Sequence, residues 1–215
     1  MARLIVVGAG GHATSCADVA LSAGYGSLTF VDPQKAGQSL LGFPVYGRVE
    51  DVPATSQGGE FLVAIGDNAS RMRVANELMA AFPTARFPAL VHRTAFVSPF
   101  ATIGAGAVVL AGSIVGPAAN IGQFCIVNTR ASIDHDCQLG DFSSFAPGAV
   151  CGGAVRVGAR SAISIGAVVR HGVEIGADTV VGANSYVHRS LPALVLCFGS
   201  PAVVQRSRRP DEPYL

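Results

Sequence analysis

Residues 97–127 read VSPFATIGAGAVVLAGSIVGPAANIGQFCIV, and their rhythm decides the fold. An apolar residue recurs every six positions, at Val97, Ile103, Val109, Val115, Ile121 and Val127. The pattern runs on without a slip through Ile133, Leu139, Phe145, Cys151, Val157, Ile163, Val169, Ile175 and Val181 to Val187. A glycine often follows, as in Ile103-Gly104, Val115-Gly116, Ile121-Gly122 and Leu139-Gly140. Four positions after each start stands another small residue, among them Ala107, Ser113, Ala119, Cys125, Ala131, Cys137, Ser143 and Ala149.

Six is not a helical period, because residues six apart lie about 120° off one helical face. It is not one long strand either, since glycine interrupts it near every sixth residue. A short strand and a corner, repeated, fits. Three hexapeptides close one coil of about 18 residues, and coils stack as a β-solenoid that needs capping. The first and fifth slots point inward. Residues 97–192 then make just over five coils.

Residues 1–90 have a different rhythm. Arg3–Val7, Leu28–Val31 and Phe61–Ile65 read as strands. Residues 13–23 and 70–81 read as helices, so a small parallel sheet is expected. Gly8-x-Gly10-x-x-Ala13 loosely matches a dinucleotide fingerprint, and Asp32 follows Gly8 by 24 residues, near where a ribose-binding acid would stand. Half a doubly wound sheet suits a mononucleotide. Glycines at Gly10 and Gly11 let a diphosphate approach the helix N-terminus. His12 is either a ligand contact or a turn residue. Gly66-Asp67-Asn68 ends the third strand, where open α/β sheets bind ligands, but Asp67 or Asn68 also suits a helix cap.

Half the 215 residues are hydrophobic, enough for one large or two small domains. A net charge of +1 argues against a nucleic-acid surface. No apolar run approaches the ~18 residues of a membrane span. The first residues enter a strand directly and lack a signal-peptide pattern, so a cytoplasmic location is expected. The five cysteines form no CxxC pair. Cys125, Cys137 and Cys151 fall on inward slots and read as buried thiols.

His135 occupies the third slot of its hexapeptide, an outward corner, between Asp134 and Asp136. A carboxylate on one ring nitrogen fixes the tautomer and makes the other a better base. Steps of 18 stack Pro117, His135, Gly153, His171 and Arg189 on one edge, with coils about 4.8 Å apart. Gly153 beside His135 would leave room for a thioester, and its N–H is a candidate oxyanion donor. No Ser-His-Asp pattern accompanies His135, which favours direct attack over an acyl-enzyme. The spacing of His135 and His171 resembles that of γ-class carbonic anhydrases, but the third histidine a zinc site needs is missing, and no metal is expected. Arg206, Arg208 and Arg209 read as a solvated basic tail or a phosphate contact.

Gly8-Ala9-Gly10-Gly11-His12, Val63-Ala64-Ile65-Gly66-Asp67-Asn68, Asn128-Thr129, Ile133-Asp134-His135-Asp136-Cys137 and the closing Gly199-Ser200-Pro201-Ala202 together resemble the PglD/NeuD-type sugar acyltransferases over nearly the whole chain. The resemblance implies an α/β half-Rossmann-like domain (1–90), a left-handed parallel β-helix of hexapeptide repeats (91–196), a capping tail (197–215) and a homotrimer. It implies transfer of acetyl from acetyl-CoA to the amine of a nucleotide-linked amino sugar, or to a hydroxyl as in the sialic acid branch. A non-catalytic nucleotide-binding scaffold is a further reading. By the resemblance His135 is the general base and Asp136 its supporting acid. Gly10, Gly11, His12 and Asp32 would hold the nucleotide, with Gly66 and Asn68 beside them and Asn128 near the sugar. Ser144, Gly153, Ile165 and Ala183 align with CoA contacts. Ser144 replaces a histidine and Ala183 a glycine of a well-known member.

Overall fold

The computed structural model describes residues 3–53, 59–209 and 212–214. The first part is β1 (Arg3–Val7), α1 (Gly11–Ser22), β2 (Ser27–Val31), β3 (Ser39–Leu40), β4 (Phe43–Tyr46), β5 (Glu60–Val63) and α2 (Asn68–Ala81). They form one sheet in the order β3-β4-β2-β1-β5. All neighbours are parallel except β3 and β4. β1 sits between β2 and β5, and the carboxyl ends of these three strands open side by side. α1 starts at Gly11, two residues earlier than expected, because Gly10 is still extended and serves as its N-cap. The β3–β4 hairpin was not expected. Its turn, Leu41-Gly42, has φ of 53° and 81°. Two successive positive φ values are what a two-residue hairpin loop requires.

From Leu90 onward every hexapeptide becomes a two-residue strand. Strands stack in steps of 18, as in Val97, Val115, Ile133, Cys151 and Val169. Three parallel sheets enclose a prism, as the repeat predicts. The first face has eight strands, including an end hairpin of Val195–Gly199 and Ala202–Ser207 that stops the stack. The second face has six, from Phe96–Val97 to Tyr186–Val187. The third has five, from Thr102–Ile103 to Glu174–Ile175. Inside lie the branched aliphatics of the first slot and the small residues of the fifth, with Cys125, Cys137 and Cys151 buried and free among them.

The corners show two separate demands. The fourth slot of every hexapeptide from Gly106 to Asn184 has positive φ, including Phe124 (52°), Arg130 (56°) and Asp136 (58°). This is the third residue of a four-residue turn, closed by bonds such as Ala107 N–H to Gly104 O. The second-slot glycines answer a different need. On the edge between the third and first faces, a Cβ on Gly140 or Gly158 would come within 2.6 or 2.4 Å of the next coil's backbone.

The outward side of the first face is apolar, and the α/β part covers it. Leu90, Val108, Leu110 and Ile126 are buried against Ala13, Cys16, Ala17 and Ala20 of α1. α2 packs through Ala75 and Leu78 toward Phe124, whose ring stacks on Phe142 with centroids 5.0 Å apart.

Candidate active site

The strand ends build the first half of the site. Gly8 leaves β1 with φ 107°, and a Cβ there would stand 3.0 Å from the Ala64 carbonyl, so the turn is reserved for glycine. Above Gly10 and Gly11 a Cβ would meet nothing within 4 Å. The α1 N-terminus therefore faces open space, as an anion cradle requires. Asp32 ends β2 and braces this loop. Its carboxylate accepts from Ala9 N–H and Gln34 N–H, both at 3.0 Å, while Lys35 Nζ donates to Ala9 O at 2.6 Å. Gly8, Gly10, Gly11, His12, Asp32 and Gly66 line one cavity of about 720 Å³. His12 is largely buried, and burial first, then the Arg71 charge, push its pKa down to about 4. It stands in the cavity wall as a neutral ring. Its Nε2 lies 3.4 Å from Cys16 Sγ.

A second cavity, of about 580 Å³, shares Gly11, His12 and Gly66 with the first. Its far wall is the edge between the first and second faces of the prism. Asn128, Ser144, Ile165 and Ala183 all line it. The structure thus gathers one set of expected nucleotide residues and three of the four expected CoA residues around one trough. Ser144 is 7% exposed. Its N–H is bonded to Ser161 O at 2.9 Å, and its hydroxyl lies 3.2 Å from Tyr214 Oη.

Asn68 is not at the trough's surface. It is 1% exposed, and its amide donates to Arg160 O and Ser161 O, each at 3.1 Å. Its oxygen accepts from Arg71 Nη2 at 2.6 Å. The amide nitrogen holds the α/β part to the prism and the oxygen holds Arg71 of the same helix, which corrects the expected place of Asn68 beside a ligand. Asp67, not Asn68, caps α2, accepting from Ser70 N–H at 2.8 Å. Arg71 escaped the sequence reading, since an arginine inside an amphipathic helix reads as solvated. It is 1% exposed, and burial holds its pKa below the usual arginine range. The expected solvated tail is corrected at Arg208 alone, since Arg206 and Arg209 are exposed. Arg206 Nη2 meets Glu212 at 2.5 Å, and Arg208 is buried, donating to Asp178 O at 3.0 Å.

His135 stands on the opposite edge of the second face. Asp136 Oδ2 lies 2.7 Å from its Nδ1. That bond and the nearby Asp134 charge raise the His135 pKa. With Nδ1–H donating to Asp136, Nε2 is free to accept a proton. Gly153 is where the 18-residue arithmetic puts it, but the space it leaves is already used. A Cβ there would stand 2.4 Å from both Cε1 and Nε2 of His135. The missing side chain makes room for the imidazole, which lies over Gly153, and not for a thioester. His135 and Asp136 are exposed, with side chains 56% and 62% accessible. Among the described residues no group of three or more His, Cys, Asp or Glu could hold a metal ion.

Residues 3–78 match the PglD N-terminal domain family. None of the curated proteins compared with the chain matches it. Among solved structures, PerB from Caulobacter crescentus, in complex with CoA and GDP-perosamine, is 34% identical with a TM-score of 0.89, covering 96% of this chain and 98% of that one. The acetyltransferase domain of PglB from Neisseria gonorrhoeae, in complex with acetyl coenzyme A, is 35% identical with a TM-score of 0.89, covering 94% and 98%. WeeI from Acinetobacter baumannii, at 24% identity and a TM-score of 0.85 over 95% of this chain and all of that one, shares the fold. On the repeat, the strand-end loops and these likenesses, the chain belongs to the PglD/NeuD-type sugar acyltransferases, and its prism is their left-handed β-helix.

Proposed function

We propose that the protein transfers acetyl from acetyl-CoA to the amine of a nucleotide-linked amino sugar. One observation carries this reading: the His135–Asp136 pair, closed at 2.7 Å on an open prism edge. It stands in a chain 34% identical to a protein solved with CoA and GDP-perosamine. A sugar ammonium must lose a proton before its nitrogen can attack a thioester. His135 Nε2 takes the proton of the attacking amine. The nitrogen bonds to the thioester carbon, and the tetrahedral oxyanion is met by the Gly153 N–H. Collapse breaks the C–S bond, and the imidazolium returns its proton to the CoA thiolate. A cysteine nucleophile is not needed, and the nearest, Cys137, points into the prism and is buried.

The nucleotide belongs in the cavity of Asp32, Gly10, Gly11 and His12, with Asn128 toward the sugar. CoA belongs along Gly153 of one prism and Ile165 and Ala183 of another, because those residues stand on opposite edges of the second face. The second face itself supports a trimer. Its outward residues include Phe96, Ile114, Val168 and Tyr186, exposed by 58%, 46%, 42% and 38%. A second copy laid on this stripe buries it and dries an otherwise solvated base. Both substrates are carriers of the cytoplasm, and no helix among the described residues is long and apolar enough to cross a membrane.

The test is a panel of UDP-, GDP- and dTDP-linked amino sugars with acetyl-CoA, following thiol release. At least one amine is expected to turn over, with its hydroxyl analogue at least ~100-fold slower. Turnover of hydroxyl acceptors alone would overturn N-acetylation. The pH profile adds a second check. Because Asp136 raises the His135 pKa, the wild-type acid limb lies above that of a free imidazole. Asp136→Asn removes the cause of the rise. The limb is expected to move to lower pH while the plateau kcat/KM falls, since the base that remains is weaker. A limb that stays in place would remove His135 from the role.

A further inference from the structure

One wall of the second cavity comes from neither the strand ends nor the prism. After the end hairpin the chain turns back, held by Arg206 on Glu212 and by Arg208 on the Asp178 carbonyl. This brings Tyr214 into the cavity. Its hydroxyl lies 3.1 Å from Gly66 O and 3.2 Å from Ser144 Oγ. The phenol donates to the Gly66 carbonyl, and the Ser144 hydroxyl donates to the phenol oxygen. One side chain therefore bridges the α/β part and the prism at the base of the trough. Burial raises the Tyr214 pKa, so it acts as a neutral phenol.

The order of a nucleotide along this trough follows from its chemistry. Ribose hydroxyls go to Asp32, which ends β2. The diphosphate goes to the open N-terminus of α1 over Gly10 and Gly11. The two cavities share Gly11, His12 and Gly66, so the group beyond the second phosphate enters the cavity that Tyr214 walls. We propose that Tyr214 is a specificity-determining residue that walls the base of the acceptor-sugar subsite and positions the sugar against Asn128. A pyranose offers one face of C–H bonds, which packs on an aromatic ring, while its polar groups stay free to meet Asn128. This inference rests on the proposed function, because it takes the ligand to be a nucleotide sugar.

The test is calorimetric and needs no turnover. Wild type, Tyr214→Ala and Tyr214→Phe are titrated with CoA, with GDP, UDP and dTDP, and with an amino sugar linked to each, GDP-perosamine included. Tyr214→Ala is expected to weaken the preferred sugar nucleotide about tenfold, with its bare diphosphate and CoA kept within about twofold. Tyr214→Phe keeps the ring and is expected to stay within about threefold. Equal losses for the sugar nucleotide and the bare diphosphate would mean that Tyr214 only holds the fold, and would overturn the proposal. Loss confined to CoA, or no loss, would overturn it too. A wild type that binds no nucleotide and no sugar nucleotide would sink the proposed function itself.

Discussion

Replacing His135 by alanine is expected to lower kcat by about 10²- to 10⁴-fold, the usual range for a positioned base. KM for both substrates should move little, and the thermal midpoint should hold, because the ring is exposed and its one side-chain bond is to Asp136. Gly153→Ala should imitate this loss with the histidine still present, since the new methyl would stand 2.4 Å from the ring and displace it. A His135→Ala protein with full thiol release would end the mechanism. The same variant also tests where the site is assembled. His135 and the trough lie on opposite edges of the second face, so in the proposed trimer one protomer's base would serve another's trough. Co-expression of His135→Ala chains with chains crippled at the trough, for example by Asp32→Ala, is expected to restore about one quarter of wild-type activity, because in a random assembly one site in four pairs an intact trough with an intact base. No recovery in mixed trimers would mean that each chain carries a complete site.

How much of this was legible beforehand depended on how far apart the interacting residues are in sequence. The six-residue period is local and redundant, so the prism and its inward cysteines could be read directly. Multiples of 18 then set Gly153 under His135, because parallel stacking keeps register. The purpose of that glycine was misread, since the arithmetic gives a neighbour but not the direction in which an imidazole lies. The positive φ at every fourth slot was hidden for another reason. Only some of those positions hold glycine; Phe124, Arg130 and Arg160 hold the same conformation because the stacked coils above and below force it. The β3–β4 hairpin was obscured by Pro44 within a strand and by Leu41 in a turn where asparagine would signal it. The role of Tyr214 had no local signal, because its partners Gly66 and Ser144 lie 148 and 70 residues away.

Arg71 is the extreme case, and the second large expected effect follows from it. Its Nε donates to Phe124 O at 2.8 Å and its Nη1 to Ile65 O and Gly66 O at 2.9 Å. Its Nη2 donates to Asn68 Oδ1 at 2.6 Å and Phe142 O at 2.8 Å. Two of these acceptors belong to the prism and two lie in the loop just after β5, so one guanidinium joins the α/β part to the β-helix. Removing it leaves buried carbonyls unsatisfied at roughly 1–3 kcal/mol each, less what entering water recovers. Arg71→Ala is therefore expected to cost on the order of 4 kcal/mol, a fall of about 10 °C in the thermal midpoint for a chain of this size. Arg71→Lys should rescue little, because an ammonium keeps the charge but cannot reach acceptors spread around a planar fork. An alanine variant that melts within about 2 °C of wild type would show that water replaces the guanidinium without loss. A variant that melts early yet keeps CoA affinity would place the weakness in the α/β part, as the clasp requires: its carbonyls at Ile65 and Gly66 lie in the loop just after β5, whereas each prism carbonyl lies in a coil that its neighbours hold on both sides.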